Sequence, residues 1–455
     1  MYMSRQSLRS AIVQKFNEHF KSHNIPEVST FDELYNRIDK IDIQTANTII
    51  NSLKICDPAV GSGHFLVSVL NELIVIKSEL GILTDKNSKL LKHYEIIVDN
   101  DELIISDEEG IFQYNYRNKE SQRVQETIFN EKQTIIENCL FGVDINPNSV
   151  KICRLRLWIE LLKSSYYKIS ALPLTKSSIE ELELETLPNI DINIKCGNSL
   201  ISRYALDADL KKALQKSKWN ITSYRLAVMT YRNAKSKDVK REMEKLINEI
   251  KGSFETELEF GDKRLKKLNS LNAELLHLNN QGSLFGKTKA EKAKREKDVA
   301  KLSAEIKKQE EIIEEVKNNA VYKNAFEWRF EFPEVLNDNG DFEGFDVVIG
   351  NPPYINIVDI DESVRNFYQV NYTITKNKVD IYAYFIQRAY QIAKTNSEIS
   401  FIISHTWKAT DSFQKFRKFL FTNYVVKEIV DLNFGVFDVT VKPLIISLQK
   451  QINNI

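Results

Sequence analysis

The stretch Asp57-Pro58-Ala59-Val60-Gly61-Ser62-Gly63-His64 decides how the fold is read. It follows a short strand-like run, Leu53-Lys54-Ile55-Cys56, and leads into a helix-like run from His64 to Leu80. Strand, glycine turn and helix in that order open a βαβ unit. In open α/β sheets the crevice at the carboxyl ends of the strands is where ligands bind, so the place of this turn matters as much as its composition. Two glycines let a ligand approach the backbone closely, and the carboxylate before them can pair with a cation or a hydroxyl. A phosphate-binding glycine loop carries a Lys or a third Gly at fixed offset. This turn has neither, which disfavours ATP and NAD and fits a cofactor without phosphates. An ordinary tight strand-to-helix turn is the alternative.

Glycine is otherwise scarce, 14 in 455 residues, about half the usual ~7%. The rest therefore mark places where the backbone needs them. Gly142-Val143-Asp144-Ile145-Asn146 ends a second strand, Cys139 to Asp144, ahead of a helix from Pro147 to Leu162 with proline in its first turn. A carboxylate at that strand tip suits ribose hydroxyls; capping of the next helix is the other reading. The separation from the glycine turn is far longer than the usual ~20 residues. Residues 94–117 alternate apolar and polar around acidic turns, so a β-hairpin insertion accounts for the excess, followed by a helix near 121–137.

Gly350-Asn351-Pro352-Pro353-Tyr354 follows the strand Phe345 to Ile349. Consecutive prolines fix the backbone and remove two donors, leaving the neighbouring carbonyls free as acceptors. An Asn side-chain oxygen and a rigid carbonyl can together accept both hydrogens of one NH₂ group, and Tyr354 offers a face for a planar ring. Such acceptors favour a more pyramidal, nucleophilic nitrogen on an exocyclic amine. A plain Pro-Pro turn is the alternative.

Composition sets the outer bounds. The chain has 42% hydrophobic and 28% charged residues, which is globular, and its length suits two or three domains. Runs such as Ile399 to Ile403 are too short to span a bilayer, and the N-terminus has no signal-like apolar region. Cys56, Cys139, Cys153 and Cys196 lack CxxC spacing, so neither a metal site nor a disulfide framework is expected; a reducing cytoplasmic setting is. Lys+Arg and Asp+Glu balance at 63 each, but residues 204–320 hold 26 against 19, a surplus of seven offset elsewhere. In that stretch Val299, Leu302, Ile306, Gln309, Ile313, Val316 and Ala320 form an a/d seam, and Leu265, Leu268, Leu275 and Leu278 supply an opposing helix. The expected organisation is an N-terminal helical segment over 1–50, an α/β domain over 51–203 and 321–455, and a helical hairpin inserted at 204–320. The hairpin could track duplex phosphates, pack on a recognition domain or serve as a solvated spacer.

DPAVGSGHF (57–65), GVDIN (142–146), GNSL (197–200), GNPPY (350–354) and DIYAYF (380–385), in that order, resemble the gamma-class adenine-specific DNA methyltransferases. The resemblance is nearest to the methyltransferase portion of type IIG restriction–modification enzymes, and it covers nearly all of the chain outside 204–320. It implies a Rossmann-like S-adenosylmethionine-dependent methyltransferase sheet with a long helical, coiled-coil-like insertion. It implies methyl transfer from S-adenosylmethionine to adenine N6 in double-stranded DNA, within a restriction–modification or phage-defence system. By the same resemblance Asp57, Ala59, Gly61 and Gly63 border the cofactor, Asp144 takes its ribose hydroxyls, and Asn198 stands where an Asp often meets its adenine amine. Asp380 and Tyr382 line the cofactor pocket. Asn351, Pro352, Pro353 and Tyr354 hold the target amine, and Tyr354 and Phe437 stack on the base, which must be flipped out of the duplex to reach a buried methyl donor. Against the family pattern, the segment closing over the methionine end of the cofactor and a target-recognition domain are expected to lie in other polypeptide. A protein amide or RNA substrate, or a subunit without independent activity, are the remaining readings.

Overall fold

The structure, a computed structural model, describes the chain apart from residues 169–182, 186, 205, 207–217, 235, 262, 281–288, 319, 375–378, 433–441 and 452–455. The chain divides into two compact units: Met1–Leu200 with Arg232–Ala234 and Glu343–Ile455, and Ile201–Tyr231 with Lys235–Phe342.

The first unit opens with three helices, α1 (Tyr2–Ser22), α2 (Phe31–Tyr35) and α3 (Ile43–Asn51). Strand β1 (Ile55–Asp57) leads to α4 (His64–Glu79), and an antiparallel trio follows: β2 (Glu95–Asp99), β3 (Glu102–Asp107) and β4 (Gly110–Ile111). Next come α5 (Lys119–Asn138), β5 (Leu140–Asp144) and α6 (Pro147–Leu162), then β6 (Tyr167–Lys168), β7 (Glu183–Leu184) and β8 (Ile194–Cys196). After the second unit the remaining strands are β9 (Phe345–Gly350), β10 (Ala393–Ser404), β11 (Tyr424–Asp431) and β12 (Pro443–Lys450).

Among the described residues, seven strands form one sheet in the order β11-β12-β10-β9-β1-β5-β8. Its β8-β5-β1-β9-β10 run is parallel, and β12 runs antiparallel to both β10 and β11. Strands β1 and β9 are buried along their whole length, as a central parallel pair covered on both faces requires; this is why they read as continuous apolar runs rather than alternating ones. The order turns back at β1, which sends the chain to β5 and β8 on one side while β9 and β10 lie on the other. The crevice at the carboxyl ends of β1 and β9 is therefore the topological switch point, where open α/β sheets bind ligands.

Helix packing follows from residue spacing. Helix α4 buries Leu66, Leu70, Leu73, Ile74 and Ile76 around most of its circumference, the mark of a helix enclosed on several sides. Its Lys77 is also buried, and its ammonium donates to Asn51 Oδ1 and to Glu131. That pairing offsets the desolvation of a buried charge. Helix α1 presents Leu8, Ile12, Phe16 and Phe20 at i, i+4 spacing, all fully buried in the core of this unit.

The second unit holds helices Ile221–Arg232 (its last residue grouping with the first unit), Lys237–Gly261, Lys263–Asn280 and Lys289–Asn318. The last two pack together, with Leu271 and Ile306 buried and Lys267 paired with Glu305 at 3.4 Å.

Two expectations need correction. Residues 94–117 hold a three-stranded antiparallel sheet in place of a simple hairpin, because the chain turns again after Asp107 to pair Gly110 with it. The helical insertion has four described helices rather than two, and its compact unit runs to Phe342. The run Phe326–Phe332 belongs to it through a cluster of rings (Phe326 to Trp328 4.8 Å, Phe326 to Phe332 5.6 Å), and Tyr224 donates its hydroxyl to the Phe330 carbonyl. Among the described residues no helix is long and apolar enough to cross a membrane.

Because Phe16 is fully buried on α1, Phe16→Ala is expected to lower unfolding free energy by about 3–5 kcal/mol, the range for deleting a buried aromatic ring. Urea denaturation followed by far-ultraviolet circular dichroism checks this. A loss within 0.5 kcal/mol (about the scale of a surface change) would place the helix outside the cooperative core.

Candidate active site

Four of the sequence-predicted segments lie at carboxyl ends of the parallel strands: 57–63 after β1, 144–146 after β5, 197–200 after β8 and 350–354 after β9. The turn after β1 is held from two sides. Val60 N–H donates to the Val143 carbonyl at 2.9 Å, and Gly61 N–H donates to Asp144 Oδ2 at 2.9 Å. Gly63 has φ +84, and a Cβ there would lie 2.6 Å from Cys153 Sγ. The left-handed backbone and the close approach of α6 both exclude a side chain.

Asp57 is buried, and its Oδ1 accepts the Ala59 N–H at 3.0 Å. The carboxylate rests against β9: a Cβ on Gly350 would sit 2.5 Å from Asp57 Oδ1. The glycine before Asn351 is thus required by a side chain almost 300 residues earlier. Burial pushes the Asp57 carboxyl up to about 8; the Ala59 N–H pulls it back and Asp144 adds to the rise.

Asp144 is half-buried, with Oδ2 on Gly61 N–H and Oδ1 on Asn146 N–H at 2.7 Å. It does not cap α6. That role falls to Asn146, whose side chain accepts from Asn148 N–H, with Pro147 in the first turn. Each Asp144 oxygen keeps lone pairs for a further donor. Asn198 accepts the Leu200 N–H through Oδ1 at 3.0 Å and donates through Nδ2 to Tyr368 Oη at 3.3 Å.

Within Asn351–Tyr354, Pro352 is buried. Asn351 Oδ1 and Tyr354 Oη are buried atoms without a hydrogen-bond partner. An unpaired buried amide oxygen costs about 1–3 kcal/mol, so its presence at a ligand crevice marks a group kept ready for a donor. The segment continues as a strand-like lacing to 379–381: Ile357 N–H donates to the Val379 carbonyl at 2.9 Å and Ile381 N–H to the Ile355 carbonyl at 2.8 Å. Asn356 Nδ2 donates to Asp380 Oδ1 at 3.2 Å, while burial raises the Asp380 carboxyl above its ordinary value. The Tyr354 ring meets Tyr382 edge-on at 6.4 Å, and Tyr382 stacks on Phe413 at 5.7 Å with rings 8° from parallel. Asp380 and Tyr382 are thereby brought to the Asn351–Tyr354 segment. Phe437 lies outside the described residues.

Sequence reasoning missed four participants. Tyr368 touches Asn198, Tyr372 and Arg388 hold the Leu200 carbonyl, and Cys153 packs on the glycine turn. The signal for the first two was present: tyrosines at i, i+4 in an otherwise polar segment mark a buried helical face.

The profile of the Eco57I restriction-modification methylases matches residues 138–437. The chain belongs to that family. A Methanocaldococcus jannaschii protein named as a type II restriction enzyme and methyltransferase is 25% identical over 96% of this chain and 33% of its own length. The type II methyltransferase M.BstVI of Geobacillus stearothermophilus is 34% identical over 20% of this chain and 16% of its own. The type II restriction enzyme and methyltransferase RM.Eco57I of Escherichia coli is 30% identical over 20% of this chain and 9% of its own. The chain spans about a third of the first relative's length and less of the others. A class I S-adenosylmethionine-dependent methyltransferase from Listeria monocytogenes overlaps 56% of this chain and 88% of its own at 15% identity, with a TM-score of 0.21. Membership in a methylase family implies S-adenosylmethionine as the cofactor.

The Asp57–Gly350 contact yields two measurements. Gly350→Ala is expected to destabilise the apo protein by about 1–3 kcal/mol, as overpacking a filled core does; chemical denaturation reads it. Asp57 has a folded-state pKa raised from 3.8 to about 8, so its contribution to stability is complete below about pH 4 and is lost as pH rises to about 8. Asp57→Asn fixes the neutral form. Denaturation midpoints of parent and variant should diverge between pH 5 and 8, the parent losing ground; parallel curves would show that Asp57 is charged in the folded state.

Proposed function

We propose that this chain transfers a methyl group from S-adenosylmethionine to N6 of adenine in DNA, as the catalytic body of a restriction–modification or phage-defence enzyme. The observation that carries the proposal is Asn351 Oδ1, a buried acceptor without a partner, beside two prolines that contribute no N–H, at the switch point of the sheet. The restriction–modification family and the methyltransferase names of its relatives support DNA as the substrate.

The residues suit the cofactor. Asp57, Ala59, Gly61 and Gly63 form a turn with close backbone access and no phosphate-binding Lys. Asp144 has lone pairs for the ribose hydroxyls, and Asn198 Oδ1 keeps one for the adenine amine. Asp380 and Tyr382, which meet the segment of Asn356 and Tyr354, complete the set. When bound, S-adenosylmethionine supplies an electrophilic methyl group carried on a sulfonium.

The protein's own part is to hold the amine. Asn351 Oδ1 and the Pro352 carbonyl accept its two hydrogens, and Pro353 keeps that carbonyl rigid. Both acceptors draw the nitrogen away from planarity and return its lone pair for attack. Tyr354 stacks on the extruded base, which holds it out of the duplex and excludes water. Electrostatic placement of this kind supplies much of the rate in group transfer.

Mass spectrometry of nucleosides from DNA incubated with the chain and S-adenosylmethionine tests the proposal. N6-methyladenine is the expected product, with Asn351→Ala lowering its rate at least about 100-fold, the size seen on removing a preorganised acceptor or donor. N4-methylcytosine alone, or no modified base from a chain that binds the cofactor, would overturn the adenine assignment.

A further inference from the structure

Asn198 lies in a loop whose backbone is fixed from outside. Ser199 Oγ donates to the Pro58 carbonyl, and the Leu200 carbonyl accepts from Tyr372 Oη at 2.6 Å and from Arg388 Nη2 at 3.0 Å. The orientation of its amide is also defined. Leu200 N–H can only donate, so the atom 3.0 Å from it is Oδ1, and the NH₂ end falls to Tyr368 Oη. Tyr368 comes from helix Glu362–Asn371, beyond the Asn351–Tyr354 segment, and is 3% exposed. Its ring is wedged between Tyr384 at 5.1 Å and Tyr372 at 5.9 Å, and Tyr372 and Tyr384 meet at 5.3 Å. Arg388 closes the cluster over the Tyr372 ring at 5.5 Å.

An Asn at this position differs from an Asp in one respect that matters. Both oxygens of a carboxylate accept, so any rotation still presents an acceptor; an amide presents an acceptor at one end and two donors at the other. Reading a 6-amino purine through Asn198 therefore requires the amide to be held at both ends. Leu200 N–H holds the oxygen, and a rigidly packed phenol holds the nitrogen.

We propose that Tyr368 is a positioning residue that makes the site selective for a 6-amino purine, by accepting Asn198 Nδ2–H and so keeping the Asn198 oxygen turned to the cofactor base. The inference rests on the reading of Asn198 as the contact of the cofactor's adenine. It links two parts of the site: the helix that follows the target-amine segment also sets the cofactor-base contact. Losing Tyr368 Oη leaves the Asn198 amide held at its oxygen end alone, by Leu200 N–H, so rotation becomes easier, and a rotated amide offers N–H to a 6-oxo purine.

Calorimetric titration with S-adenosylhomocysteine and its 6-oxo analogue S-inosylhomocysteine tests this on the full chain. Tyr368→Phe keeps the ring and removes only the hydroxyl. It is expected to reduce the adenosyl-over-inosyl affinity ratio by about fivefold, the weight of one neutral hydrogen bond, and Asn198→Ala to reduce it at least as much. A reduced ratio for Asn198→Ala with an unchanged ratio for Tyr368→Phe overturns the proposal and leaves the Asn198 reading standing. An unchanged ratio for Asn198→Ala overturns both. Equal weakening of the two ligands by Tyr368→Phe, with a lowered thermal midpoint, shows a merely structural role and also overturns it. In the Tyr368→Phe background, Asn198→Asp should recover the ratio, because a carboxylate needs no partner to choose its end.

Discussion

The contact between the Asp57 carboxylate and the Gly350 backbone is the constraint on which the site depends. Strands β1 and β9 are hydrogen-bonded neighbours in register, Cys56 opposite Val348, so the first residues beyond them must share one small volume. One strand fills that volume with a carboxyl group and the other leaves it empty with a glycine. This brings the turn 57–63 and the segment 350–354 side by side, though some 290 residues separate them in sequence. A side chain at 350 or a larger one at 57 would separate the two loops by about the width of a methyl group, and misplacement of that order costs reacting groups about 100-fold in rate.

The lacing around this contact explains why so much of the chain between the motifs is tolerated. The β2-β3-β4 sheet lies between α4 and α5, and the helical unit lies between β8 and β9. Both are inserted in connections, where added length costs little in closure entropy. The strand ends themselves are fastened by short-range contacts that do not depend on those insertions: Gly61 to Asp144, Gly197 to the Asp144 carbonyl, and Leu200 to Tyr372 and Arg388. The site is a set of neighbouring strand ends, and the insertions are free to serve other ends.

Much of this was legible in the sequence for a physical reason. The strand-end motifs are local: a glycine turn, a strand-tip carboxylate and a Pro-Pro segment each announce a backbone conformation by residue type. The start of the helix Pro147–Leu162 was legible because Pro near its first turn marks it; the Asn146 cap that also fixes it was not read. What the sequence did not reveal depends on distant packing. Gly350 reads as a turn glycine, yet its cause is Asp57. The grouping of Phe326–Phe342 with the helical unit comes from ring contacts to one another and the Tyr224 hydroxyl bond, which no local pattern encodes. The helix Lys237–Gly261 carries a seam of its own, Val239, Met243, Leu246 and Ile250 at spacings of four, three and four, which the reading of the later pair passed over.

The crevice also resolves an electrostatic conflict. Several carboxylates crowded into one buried space raise one another's pKa and destabilise the fold. Three positions here face that space from adjacent strand ends, and the chain treats each differently. Asp57 is buried and pushed toward its neutral form. Asp144 is left half-buried with two backbone N–H donors. At 198 stands an amide, and its oxygen accepts without adding charge. An uncharged acceptor lacks the strength of a carboxylate, roughly half by the ratio of neutral to charge-assisted bonds, so it relies on orientation instead. The aromatic cluster of Tyr368, Tyr372 and Tyr384 provides that rigidity. An amide at 198 thus adds no negative charge near Asp57, and it makes the packing of a helix more than 160 residues away part of the site.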